Sequence, residues 1–169
     1  GIAFDSSNNK VVITYPDSGN SSYGTAIVGT VSGTSITFGT AVVFESASSA
    51  NTRAVYDSVA QKVSIAYRDV GNANYGTAIV GTVSGTSISF GTAAVFNTAT
   101  SYNIEATFDS NSNKVVIVFR NAGNSDYGTA IVGTVSGTSI SFGSAAVFNS
   151  AASYSPANVF DSSNNKVVA

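Results

Sequence analysis

YGTAIVGTVSGTSI, running from Tyr75 to Ile88, stands in identical form at Tyr23 to Ile36 and again at Tyr127 to Ile140. The interval is 52 positions from Tyr23 to Tyr75 and 52 from Tyr75 to Tyr127. Phe4, Tyr56, Phe108 and Phe160 keep the same phase, so the repeat covers the chain from end to end. Self-similarity over such a period marks a molecule built by stacking one supersecondary unit, each copy needing its neighbours to bury its apolar face.

Around that segment the second copy reads as four strands. Ala54 to Tyr56 is a short strand, and the turn from Asp57 to Gln61 leads into Lys62 to Arg68, where Val63, Ile65 and Tyr67 alternate with Ser64 and Ala66. After the polar loop from Asp69 to Asn74 comes Tyr75 to Val83, and Ser84-Gly85 turns the chain into Thr86 to Phe96. Recurrent Gly and β-branched residues disfavour helix throughout. The predicted class is all-β: propeller blades, each a four-stranded antiparallel sheet, within a single array over 1–169. Blades fall at 2–53, 54–105 and 106–157, with a partial fourth at 158–169. A β-solenoid or fibre-shaft repeat is the alternative. Blade packing is preferred because Val115, Ile117 and Phe119 on one face, with Val116 and Val118 on the other, call for a sheet pressed on each side.

Composition narrows the chemistry. The 169 residues are 43% hydrophobic, with a mean hydropathy of +0.21, enough for a sizeable core. Charged residues make up only 9%, against about 25% in an average domain, so Ser, Thr, Asn and Gly keep the surface wet. Such a surface suits strand-and-turn proteins outside the cell. A net charge of −2 offers no cationic footprint for nucleic acid or anionic lipid. Without Cys or His there is no disulfide framework, and the commonest general base and transition-metal ligand are missing. No apolar run reaches the ~20 residues of a spanning helix, so membrane insertion is not expected. Three and a fraction units cannot close a propeller ring of roughly four to eight blades, so either the rest of a longer chain or other copies are expected to complete it.

Candidate sites follow from connectivity and from differences between copies. In an antiparallel unit the second turn and the linker to the next unit share one end, away from the first turn. Asp109-Ser110-Asn111-Ser112-Asn113 has the spacing of a calcium-loop opening, but the Gly and Glu that complete such a loop are missing, and Asp57-Ser58-Val59-Ala60-Gln61 loses two ligands. These turns are read as backbone-capping turns, with no metal and no cofactor assigned. Asp17 to Gly24 and Asp69 to Gly76 are a poor match to the Asp-box of sialidase-like propellers. On the linker and second-turn side, positions that vary between otherwise uniform copies are the ligand-binding candidates: Arg53, Arg68, Asp69, Tyr102, Arg120, Asn121 and Tyr154. Tyr brings an apolar face with a hydroxyl and Arg a planar fork, the ingredients of sugar or carboxylate recognition. No catalytic residue is assigned. The acids recur singly in equivalent places, and nothing pairs an acid with a base.

The run from Asn113 to Phe148, NKVVIVFRNAGNSDYGTAIVGTVSGTSISFGSAAVF, recurs with few changes in the other copies. It resembles the propeller-type tandem repeats of marine phage tail-fibre and other virion proteins, and of bacterial surface proteins. The resemblance implies an adhesion or display module on a virion or outside the cell, without catalysis, whose partners are a surface glycan or a protein. A lectin-like propeller with one shallow site per blade is the alternative, and a fragment of a sialidase-like hydrolase a weaker one.

Overall fold

Alternating β-branched and small residues, punctuated by Asp-led turns, produce the same succession of strands in each copy. A computed structural model describes residues 1–169. The first copy gives β1 (Ile2–Asp5), β2 (Lys10–Asp17), β3 (Tyr23–Ser32) and β4 (Ser35–Phe38). β5 (Val42–Asp57) carries the chain from the first copy into the second, which contributes β6 (Lys62–Asp69), β7 (Tyr75–Ser84) and β8 (Ser87–Phe90). Then follow β9 (Ala94–Asp109), β10 (Lys114–Asn121), β11 (Tyr127–Ser136), β12 (Ser139–Phe142) and β13 (Ala146–Ala152), and last the short β14 (Val159–Asp161) and β15 (Lys166–Val168). The protein is all-β and antiparallel, its helical content limited to single 3-10 turns at Ser18–Asn20 and Ala122–Asn124. No helix is long and apolar enough to cross a membrane.

Thirteen strands join in one hydrogen-bonded sheet that does not close on itself, with β4, β8 and β13 branching from β3, β7 and β11, while β14 and β15 pair separately. Within that sheet the chain forms three layers. In the first, β1, β2 and β3 lie side by side, and the outer edge of β3 is shared: β4 pairs Gly29 to Ser32, and the start of β5 pairs Tyr23 to Ala26. The second layer repeats this with β6, β7, β8 and β9, and the third with β10 to β13.

Two strand boundaries differ from the sequence reading. The segment expected as one strand, Thr86 to Phe96, is broken at Gly91, where the backbone is pressed on the Thr138 carbonyl of the next layer and a Cβ would fall 2.8 Å from Thr138 Cβ. The hairpin turn is Gly85-Thr86, one residue later than expected, with Gly85 at φ +58 in the first central position. The short strand expected at Ala54 to Tyr56 is the end of the much longer β5, which leaves β3 at Ser48 and pairs β6 from Ser49 onward. Between Ala50 and Arg53 the register slips, and Asn51 takes a left-handed φ of 50, a conformation Asn tolerates better than most residues. There the strand crosses the end of the first layer, and Thr52 Oγ1 donates to the Thr14 carbonyl of β2 at 3.1 Å.

Two apolar cores separate the layers. Val12, Ala26, Val28 and Phe44 of the first face Val63, Ile65, Tyr67 and Ile79 of the second. Ala66, Ala78 and Val80 on the reverse of the second meet Val115, Ile117, Phe119 and Ile131 of the third. An aromatic group recurs in each: Phe44 packs on Tyr67 and Phe90, as Phe96 does on Phe119 and Phe142. The middle layer is therefore covered on both faces.

Candidate functional site

Hydrogen bonds tie the linkers to the second turns, putting both at one end of the layers. Ser49 N donates to Ser22 O, Val70 N to Ser48 O and Ser101 N to Asn74 O. The first turns lie at the opposite end, and their aspartates are occupied by backbone amides. Asp5 Oδ1 accepts from Ser7 N and Asn8 N, Asp57 Oδ1 from Val59 N and Ala60 N, and Asp109 Oδ1 from Asn111 N and Ser112 N. These are capping turns. Asp109 is held below the usual carboxylate range by the Ser112 hydroxyl and amide, and Asp161 likewise by the Asn164 side chain and backbone amides.

The candidate binding residues fall into three separate places. Arg68, Tyr102, Arg120 and Tyr154 form one continuous ladder. The Arg68 guanidinium carbon lies 4.9 Å from the Tyr102 ring centre, Arg120 4.4 Å from the same ring, and Arg120 again 5.0 Å from Tyr154. Register builds this ladder. Arg120 is cross-strand from Tyr102 on one side and from Gly128 on the other, and Arg68 is opposite Gly76 and Ala50, so small neighbours leave each guanidinium free to lean between layers. Stacked cations and rings attract through the ring quadrupole. Arg120 is charge-compensated by Asp126, whose Oδ1 lies 3.4 Å from Nε as an ion pair without a hydrogen bond. The equivalent of Asp126 beside Arg68 is Asn74, and the buried Arg68 Nε has no partner.

Arg53 stands apart from the ladder. It reaches its counterpart one copy on, Glu105, at 2.6 Å, with both side chains partly exposed, and donates to the Thr52 carbonyl. Asp69 and Asn121 belong to a third place, the junctions beneath the second turns. Asp69 joins Glu45 and Tyr67, whose hydroxyl donates to Glu45 Oε2 at 3.0 Å. Burial, and then Glu45, push Asp69 above the usual carboxylate range against the opposing amides of Asn72 and Gly71. Burial and Glu45 also push the Tyr67 hydroxyl far up, so it stays a donor at all ordinary pH. In the next junction Asn121 meets Asn97 and Phe119 replaces Tyr67.

Glu45, Ser49, Tyr67 and Asn97 were not among the sequence candidates as a set. The signal lay in the copies themselves: positions 45, 67 and 69 change together to Asn, Phe and Asn at 97, 119 and 121. No three acidic side chains converge anywhere in the chain. A concave depression lined by Ala157, Asn158, Val159, Val168 and Ala169 is mostly apolar and includes none of the ladder residues. Searches against protein-family models, curated proteins and solved structures find no match to the chain.

Proposed function

We propose that the chain is a non-catalytic recognition and display module, an array of propeller-type blades working on a virion surface or outside the cell. Its binding face is the end that carries the linkers and second turns, and its partner is a surface glycan or another protein. The observation that supports this reading is the Arg68–Tyr102–Arg120–Tyr154 ladder, built from positions at which otherwise uniform copies differ. Alternating planar cations and rings present flat apolar area with hydrogen-bond donors at its edge, which suits sugars and carboxylates.

The ladder also separates this reading from a lectin with one shallow site per blade. Pro16 and Ala50 stand in the first copy where Arg68 and Tyr102 stand in the second and Arg120 and Tyr154 in the third, so the feature is not one site per repeat. Glycan-array binding is the test. A module of this kind binds a subset of glycans, acidic ones foremost, and Arg68→Ala together with Arg120→Ala lowers that binding at least tenfold. Absence of glycan binding, with stable assembly into larger particles, points to a protein partner and a purely architectural part. Sugar turnover by the unmodified chain overturns the non-catalytic reading.

A further inference from the structure

The two junctions between layers are built alike, so a residue that differs is read against its counterpart. In the downstream junction the Asn97 amide nitrogen sits in a nest of three oxygens. It donates to Ser101 Oγ at 2.9 Å, to the Ala99 carbonyl at 3.2 Å and to Asn121 Oδ1 at 3.2 Å. Upstream, the counterparts of the nest are the Ala47 carbonyl, Ser49 Oγ and the Asp69 carboxylate, and the residue in place of Asn97 is Glu45. The register is the same: Ser49 pairs with Asp69 as Ser101 pairs with Asn121, and Glu45 with Gly24 as Asn97 with Gly76. A carboxylate has therefore replaced the one donor in an oxygen nest.

The remaining contacts do not supply that donor. Glu45 Oε1 accepts from Ala47 N at 3.1 Å and Oε2 from the Tyr67 hydroxyl, and Asp69 Oδ1 accepts from Asn72 N at 3.0 Å, but none of these donors reaches Ser49 Oγ. Neither Glu45 nor Asp69 forms an ion pair. Ser49 is only 3% exposed, and its Oγ has no partner, whereas Ser101 Oγ is bonded to Ala99 and Asn97. A buried polar group without a partner costs free energy and calls for one. Two carboxylates crowd a stranded hydroxyl and no Lys or Arg pairs with either, so a positive centre among them would satisfy all three.

We propose that Glu45, Ser49 and Asp69, with the Ala47 carbonyl, bind a hard divalent cation of the calcium class at the point where the Asn97 nitrogen lies in the next junction. Mixed carboxylate, hydroxyl and carbonyl oxygens without nitrogen or sulfur suit calcium, whose flexible coordination tolerates an irregular cage better than magnesium does. Two carboxylates balance its charge. The cation would staple the linker of the first copy to the second layer, as the Asn97 amide staples the following pair.

Melting of the full chain in 5 mM calcium against chelator, with terbium luminescence excited through Tyr67, tests the site. Calcium is expected to raise the melting temperature by roughly 5 °C or more. Terbium emission should appear and be displaced by calcium. The variant E45N/D69N keeps Tyr67 as the antenna and should lose both responses, and E45N/Y67F/D69N, which rebuilds the downstream junction with its Phe119, should fold and lose the calcium shift in melting. Melting that ignores calcium, or terbium emission that survives in E45N/D69N, overturns the proposal. A calcium-indifferent chain whose melting temperature climbs on acidification assigns a shared proton to the cluster instead.

Discussion

Ile13, Ile65 and Ile117 are the same residue of the repeat in three copies, yet their surroundings differ. Ile65 and Ile117 are fully buried between layers, whereas Ile13 lies on the outer face of the first layer and is only half-buried. Truncating a packed Ile loses transfer free energy and leaves a cavity, at about 2–5 kcal/mol. Ile65→Ala and Ile117→Ala should fall in that range, and Ile13→Ala should cost less than half as much, as read by chemical denaturation. Equal losses at all three would mean that the first layer is covered in solution. Asp69 makes a pH-dependent prediction. Its folded value lies above its unfolded one, so the folded state holds the proton more tightly. Its contribution is complete below the ordinary carboxylate value of about 4 and is lost as pH rises through the raised folded value. In chelator, melting temperature should therefore fall as pH rises from 4.5 to 7, and Asp69→Asn should flatten that slope. Asp109 and Asp161 have the opposite sign, their contributions fading as pH falls through their lowered values, but both sit in turns in contact with solvent, where screening keeps the effect small.

At the level of strands, β6, β9 and β10 meet in the Arg–Tyr ladder, where Tyr102 is flanked by two guanidinium groups. Each stacked cation contributes about 0.5–1 kcal/mol. Tyr102→Ala should then destabilise the chain by about 1–2 kcal/mol, while Tyr102→Phe keeps the ring and most of the stability. A Phe variant as unstable as the Ala variant would shift the weight from ring stacking to the hydroxyl. These residues were legible in the sequence because they interrupt near-identical copies, and so was the alternation of Val63, Ile65 and Tyr67 that places them on one face. The Glu45–Asp69 cluster was not legible as a cluster. Its members lie 24 positions apart, as do Asn97 and Asn121, which bond, and only the passage of β5 from β3 to β6 at Ser48 and Ser49 brings them together. The break at Gly91 recurs at Gly39 and Gly143, and at each the glycine amide donates to a valine carbonyl of its own layer, Val80 for Gly91, Val28 for Gly39 and Val132 for Gly143, a bond that the residues from Thr86 to Phe96 do not announce.

Across the whole molecule each layer meets only its neighbours, so stability should be distributed by position in the stack as much as by sequence. Here the repeat supplies its own control. β3, β7 and β11 carry the same ten residues, YGTAIVGTVS, so their intrinsic amide exchange rates are the same within the strand. β7 lies in the layer covered on both faces and is buried along nearly its whole length, β11 is exposed at several positions toward its end, and β13, which pairs with β11, is exposed throughout. Hydrogen exchange should accordingly be slowest in β6 and β7, faster in β3 and β11, and fastest from β13 through β15. Peptides that extend into Asn74 or Asp126 tell β7 from β11 by mass. Equal protection of the three identical strands would mean that the layers open together as one cooperative body, and that burial between two neighbours confers no advantage on the middle copy. A gradient would instead make the layer the unit of opening. Calcium at the upstream junction should then slow exchange in β5 and β6 before it affects β9 and β10.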